Sequence, residues 1–297
     1  MNSSKALSVG LKDKVRAQIG LWNYQAPIAE EVSQHDSFRE LLTARSPLCE
    51  LDTQYKNQII VTLSEQRYHS SISKDFYSNY IRISKLFETC TRSGDSNNLP
   101  AAWNLVTTYY MCFFCAVEFL RLEGHHIMFL VDEDIETIRS ISSTSTGILE
   151  QGSYTATTSL DPIDGFRITI KKVNIRHHQY VWDRFKALLS SALRGIEELS
   201  ESDRSKILKT IGDKSKCIPR PSDIRNTWNY RDATLFAEHG ERLANPFSKL
   251  IKSYNSSSRW FERSCTSNEA GQLACGLSFL CHSLREAIEK TKPYIVK

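Results

Sequence analysis

The residues of this chain whose types could do chemistry fall into three groups: a run of cations, two pairs of histidines, and cysteines at suggestive spacing. Between Arg204 and Arg231 lie eight basic residues, Arg204, Lys206, Lys209, Lys214, Lys216, Arg220, Arg225 and Arg231, against only Asp213 and Asp223. That local balance of +6 stands in a chain whose net charge is +4. Such a cluster attracts phosphates, and the same pattern also forms an ordinary solvated helix face. His125-His126 and His177-His178 fall beside predicted helix ends, where a cation is favoured and an imidazole commonly caps. Neither pair has a carboxylate at i+3 or i+4 to suggest a metal site or a general base.

The cysteines read as core. Cys112-x-x-Cys115 has a spacing known from zinc and redox sites, but it falls inside the most apolar stretch and no second Cys or His pair follows at finger spacing. Cys265, Cys275 and Cys281 with His282 come closer to a cluster, yet Cys275 and Cys281 belong to a predicted helix in which small buried thiols are common. Eight cysteines in 297 residues are not a dense disulfide framework, and we read them as reduced. No cofactor is expected. G-x-x-x-x-G-K-[ST], G-x-G-x-x-G and G-x-S-x-G are all missing from the sequence, which disfavours nucleotide-fold and hydrolase-fold enzymes.

The elements that must position these groups are mostly helical. Hydrophobic residues make up 40% and charged residues 24%, a globular balance. Only 12 glycines and 8 prolines are too few for a chain that turns every ten residues, so the fold class is mainly α. Val15, Ile19 and Leu21 or Trp22 recur at helical spacing, as do Phe76, Tyr80, Ile83 and Phe87. Pro100 to Glu123 is apolar on nearly every side and predicts a central buried helix stopped by Gly124. Phe166, Ile168 and Ile170 alternate after the turn Asp161-Pro162-Ile163-Asp164-Gly165, which predicts a small inserted β-hairpin near residues 153 to 173. Val181, Phe185, Leu188, Ala192, Ile196 and Leu199 make the stripe of a following helix, and Ser202 is placed to cap the next. After Pro219 and Pro221, Ser222 or Asp223 caps a helix carrying Ile224 to Tyr230, while Ser253 to Arg263 reads as a loop with an exposed aromatic pair, Trp260 and Phe261. The last helix is expected over Asn268 to Lys290. The organisation expected is an N-terminal helical region, 1–98, followed by a helical bundle, 99–297.

Two segments resemble the HEPN-domain superfamily. Trp103 to His126, WNLVTTYYMCFFCAVEFLRLEGHH, is similar to the second helix of those proteins, with paired aromatics, small residues, a Leu-Arg-Leu stretch and then Gly. Ile224 to Tyr230, IRNTWNY, is similar to the motif in which Arg-Asn is followed by three residues and then His, and the two segments occur in the family's order. Arg121 and His126 also have four residues between them, but they straddle the predicted stop at Gly124 and lack a polar residue after the Arg, so they read as a capping end.

The resemblance implies a HEPN-like bundle and metal-independent RNA cleavage at a dimer interface, of the toxin or antiviral-defence type. Arg225 would hold the phosphate, and the motif's His would activate the ribose 2′-hydroxyl or serve the leaving group. Here Arg225 and Asn226 match, but Tyr230 stands where the His belongs. A phenol with pKa about 10 is protonated at neutral pH and is a poor general base. His239, nine residues beyond Tyr230, is two and a half helical turns away and a poor replacement. The catalytic candidates are therefore Arg225, Asn226 and Tyr230, with Lys206, Lys209, Lys214, Lys216, Arg220 and Arg231 as nucleic-acid contacts. The partners implied are RNA and a second copy or another protein, and weak or lost ribonuclease activity is expected. The alternatives are a non-catalytic scaffold in a larger complex and a plain helix in which Trp228 packs and Arg225 pairs with Asn229. The longest uninterrupted apolar run, Tyr109 to Val117, is about half a membrane span, and Met1 to Gly10 lacks an apolar leader core, so a cytosolic protein is expected.

Overall fold

In the computed structural model, residues 2–43, 58–92, 101–141, 150–161, 165–174, 176–212, 218–227, 246–264 and 270–297 are described. The fold is mainly helical, with one small antiparallel sheet. In chain order it comprises α1 (Ser3–Leu21), α2 (Ala29–Val32), α3 (Phe38–Thr43), β1 (Gln58–Leu63), α4 (Glu65–Arg92), α5 (Ala101–Leu122), β2 (His125–Leu130), α6 (Asp132–Ile141), β3 (Gly152–Asp161), β4 (Gly165–Lys172), α7 (His177–Arg194), α8 (Glu201–Lys209), α9 (Pro221–Asn226), α10 (246–251), α11 (Tyr254–Ser264) and α12 (Ala270–Ile295). Two compact units emerge, each assembled from discontinuous pieces: 1–14, 80–116 and 181–291 form the first, and 15–79, 117–180 and 292–297 the second. This division differs in kind from the contiguous 1–98 and 99–297 organisation expected from the sequence.

The second unit holds the sheet, whose strand order is β1-β4-β3-β2, all antiparallel. The predicted hairpin is β3 and β4, with Tyr154 opposite Lys172 and Leu160 opposite Phe166. Its inward row, Phe166, Ile168 and Ile170, is fully buried, and each such side chain contributes about 1.5–3 kcal/mol. Trp22 closes this core by setting its ring edge-on to Tyr68 and Phe166, at 5.4 and 5.7 Å between centroids. Of the two residues offered by the α1 periodicity, Trp22 is therefore the inward one, and Leu21 is exposed.

Gly165 opens β4 at φ 101°, and a Cβ there would lie 2.7 Å from the Leu63 carbonyl oxygen, so only glycine fits. The edge strands β1 and β2 were not anticipated. His125 and His126 begin β2 and do not cap a helix: α5 stops at Gly124, φ 79°, whose carbonyl accepts from the Thr158 N–H at 2.8 Å and so hands the chain to the sheet.

The first unit is packed around α5, α7 and α12. Tyr109, Cys112, Cys115 and Ala116 of α5, Trp182, Phe185 and Leu189 of α7, and Leu280 and Leu284 of α12 are all fully buried. Ser4 and Ser283, 2.9 Å apart, let α1 approach α12 closely. Cys90, Cys112, Cys115, Cys275 and Cys281 are buried thiols outside any disulfide. The stretch Trp103–Leu122 has the length and composition of a membrane span, which the uninterrupted-run reading overlooked, and 78% of it is buried in the fold.

Three local expectations are corrected. Residues 254–264 are a helix, not a loop, and Phe261 is buried against Phe279, with ring centroids 3.7 Å apart and nearly parallel. The serine run misled because Ser257 is satisfied locally, its hydroxyl donating to the Leu250 carbonyl at 2.7 Å. α7 ends at Arg194, so Ile196 and Leu199 lie beyond its stripe. Ser200, not Ser202, caps α8, accepting from the Asp203 N–H at 3.1 Å.

Candidate nucleic-acid interface

The geometry around Arg225 starts with the short helix α9. Pro221 occupies its first turn, where a missing N–H costs nothing. Neither Ser222 nor Asp223 is its N-cap. Arg220 holds that place, and its N–H donates to Asp223 Oδ2 at 3.1 Å. Ile224 is buried, which anchors α9 and presents the next residue, Arg225, half-buried. The Arg225 guanidinium lies 5.2 Å from the Tyr109 ring centroid and 5.7 Å from that of Tyr110. Both contacts are of the cation–π kind. Tyr109 is in turn fixed by α7, because Trp182 Nε1–H donates to its hydroxyl at 3.4 Å. Burial pushes the Tyr109 phenol far up, while the Arg225 charge pulls the other way. The phenol therefore remains a neutral platform.

The cation run is less positive than its count. Arg220 donates to both carboxylate oxygens of Asp183, from Nε at 2.8 Å and from Nη2 at 3.0 Å, a bidentate pair. Arg204 pairs with Glu201 at 3.2 Å and donates to the Ile196 carbonyl at 2.8 Å. Lys206 pairs with Asp203 at 3.5 Å. All three carboxylates lie outside the segment from which the +6 was counted. Among the described residues no carboxylate pairs with Lys209. Asn226 is half-buried beside Arg225 in sequence. Tyr230, Lys214, Lys216 and Arg231 lie outside the described residues, as do Trp228, Asn229 and His239.

The structure thus brings Arg225 to Tyr109 and Tyr110, which no motif spacing had linked. The signal was present in the sequence only as the paired aromatics of α5.

Histidine and carboxylate chemistry collects in the second unit. Glu118 is buried and its Oε2 accepts from Asn79 Nδ2 at 2.6 Å and from Arg121 Nη1 at 3.4 Å. Burial pushes its carboxyl up, opposed by the Arg121 charge. Asp75 is pushed the same way by burial, and its Oδ2 accepts from the Phe38 N–H at 3.4 Å. His126 is stacked on Phe38 at 4.1 Å and lies 3.4 Å from the Tyr68 hydroxyl. Burial, and then the Arg121 charge, drive its pKa well down. Arg121 stands in the last turn of α5, as the capping-end reading expected, and its guanidinium is also an ion-pair partner of Glu118.

A cleft of about 290 Å³ in the same unit is lined by Asn23, Gln25, His35, Glu65 and His69 among others. No group of three His, Cys, Asp or Glu side chains among the described residues converges on a metal-binding arrangement. Comparison with known proteins returns no family model, no curated protein and no solved structure that matches the chain.

Proposed function

We propose that the chain is a HEPN-like, RNA-directed protein in which Arg225 positions a phosphate and cleavage is weak or lost. The observation that supports this reading is the contact of Arg225 with Tyr109 and Tyr110. It joins the two segments that carry the resemblance, one on α5 and one on α9. An aromatic face orients a guanidinium, and a guanidinium binds phosphate oxygens bidentately. What it lacks is a proton carrier: the phenol of Tyr109 is held neutral, and Tyr230 replaces the imidazole. Positioning without general acid–base help forgoes a factor of about 10²–10⁴ in rate.

Such a protein acts in the cytosol as a homodimer or with a protein partner, in a toxin or antiviral-defence role. The second reading, a non-catalytic scaffold, is favoured by the ion pairs that occupy Arg204, Lys206 and Arg220.

The test is cleavage of single-stranded RNA in the presence of a chelator. Feeble or no cleavage is expected from the natural chain, with an increase in Tyr230→His and its loss again when Arg225→Ala is added. A robust chelator-resistant nuclease that survives Arg225→Ala would place the chemistry elsewhere.

A further inference from the structure

In the second unit two hollows, of about 290 and 380 Å³, share His35, Gln66 and Ser70 in their walls. Sites for small ligands begin near this size, at about 300 Å³. The walls come from the turn after α1, from residues 34–36 with Leu41 of α3, and from the first two turns of α4. The buried Ser73 hydroxyl donates to the Ser70 carbonyl at 2.7 Å, which commits its single proton. Its oxygen therefore accepts from His35 Nδ1–H at 3.1 Å. In the neutral ring this contact places the proton on Nδ1 and leaves Nε2 as an acceptor. Burial holds the other imidazole of the cleft, His69, below its ordinary pKa, so that ring is uncharged at neutral pH. Primary amides complete the walls: Asn23 and Gln25 in one hollow, Gln34 in the other and Gln66 in both.

The charges in these walls oppose one another. Glu65 and Asp36 repel an anion, while Arg67 and the positive start of α4 at Glu65 disfavour a cation. The aliphatic lining is Pro27 in one hollow and Leu41 in the other, too little for a lipid. What fits is a neutral ligand that both donates and accepts hydrogen bonds over its whole surface. We propose that this cleft binds a neutral sugar of one or two rings, with Gln66 and His35 Nε2 meeting its hydroxyls. A hydroxyl is donor and acceptor at once, and a primary amide presents one acceptor and two donors in a plane. Adjacent ring hydroxyls can therefore pair with the same amide, while the imidazole nitrogen accepts from a further one. The cleft lies wholly in the second unit, so the inference stands without the RNA reading.

The experiment titrates the full chain by calorimetry with a panel of neutral disaccharides: maltose, cellobiose, lactose, trehalose and sucrose. At least one is expected to bind saturably at low millimolar concentration or tighter. With that sugar, His35→Ala and Gln66→Ala should each weaken binding roughly twofold to tenfold, the range of one hydrogen bond, and more together than either alone. Because Gln66 is exposed, its variant keeps the test valid if His35→Ala proves unfolded by circular dichroism. Glucose, glucose 6-phosphate and glucosamine, compared on the natural chain, read the charge preference, and neutral glucose should bind at least as tightly as either charged form. Absence of saturable binding by every disaccharide overturns the proposal, as does binding that neither alanine variant changes. Tighter binding of the phosphate or the amine form overturns the neutral class and makes the cleft an ion site.

Discussion

Two arginines on or against α5 are held in different ways, one by a carboxylate and one by ring faces. Arg121 in the second unit is paired to a carboxylate, Glu118, that is itself 1% exposed and also accepts from Asn79. Its charge is cancelled internally. Arg225 in the first unit is held on the faces of Tyr109 and Tyr110. Ring faces orient a guanidinium through their π-electrons. A buried carboxylate holds Arg121, whereas ring faces orient the Arg225 guanidinium on α9, the helix that carries the motif resemblance. Arg220, bidentate on Asp183, is held by a carboxylate as Arg121 is.

The largest expected effect comes from breaking the internal pair. Glu118→Ala leaves the Arg121 guanidinium and the Asn79 amide facing a hole, at a cost of about 3 kcal/mol. Glu118→Gln keeps the shape and the Asn79 contact and should cost less, as read from chemical denaturation midpoints. A loss no larger than that of Arg225→Ala would erase the distinction between the two arginines.

The next test is acid. His126 is buried with its pKa held well below the ordinary 6.5, so it folds neutral. A depressed pKa contributes stability that is present above about pH 6.5 and lost as pH falls, by at most about 1.4 kcal/mol per unit. The raised carboxyls of Glu118 and Asp75 have the opposite sign: their contribution is present below about pH 4 and is lost as pH rises. His126→Phe, which keeps a ring against Phe38, should remove only the acid-side loss attributable to the imidazole. Parallel stability curves for the two proteins between pH 8 and pH 5 would contradict the burial of a neutral His126.

What the sequence made legible follows the same division. α5 and α12 were readable because their apolar positions fill whole faces, and the β3–β4 hairpin because Phe166, Ile168 and Ile170 alternate. The edge strands QIIVTL and HHIMFL were not, since an apolar run of six residues has no period that tells strand from helix. The cation run was readable as a count but not as a field. Arg220 and Asp183 lie 37 residues apart, and no window on the sequence pairs them. Likewise the aromatic pair Tyr109-Tyr110 was conspicuous in sequence, yet only the fold sets α9 against it.

Smaller effects sharpen the contrast. Arg225→Ala should lower stability by about 1 kcal/mol or less, as expected for a half-exposed cation–π contact. A loss of several kcal/mol would make Arg225 a core residue like its counterpart. The Arg220–Asp183 pair, with Asp183 half-exposed, should show a coupling below about 1 kcal/mol in a double-mutant cycle.

The most direct test of the central claim is the salt dependence of single-stranded RNA binding in the natural chain and in Arg225→Ala. If Arg225 meets a phosphate, the variant binds more weakly and its slope of log affinity against log salt is shallower by about one. An affinity and a slope unchanged by Arg225→Ala would show that the cation held by Tyr109 and Tyr110 meets no phosphate.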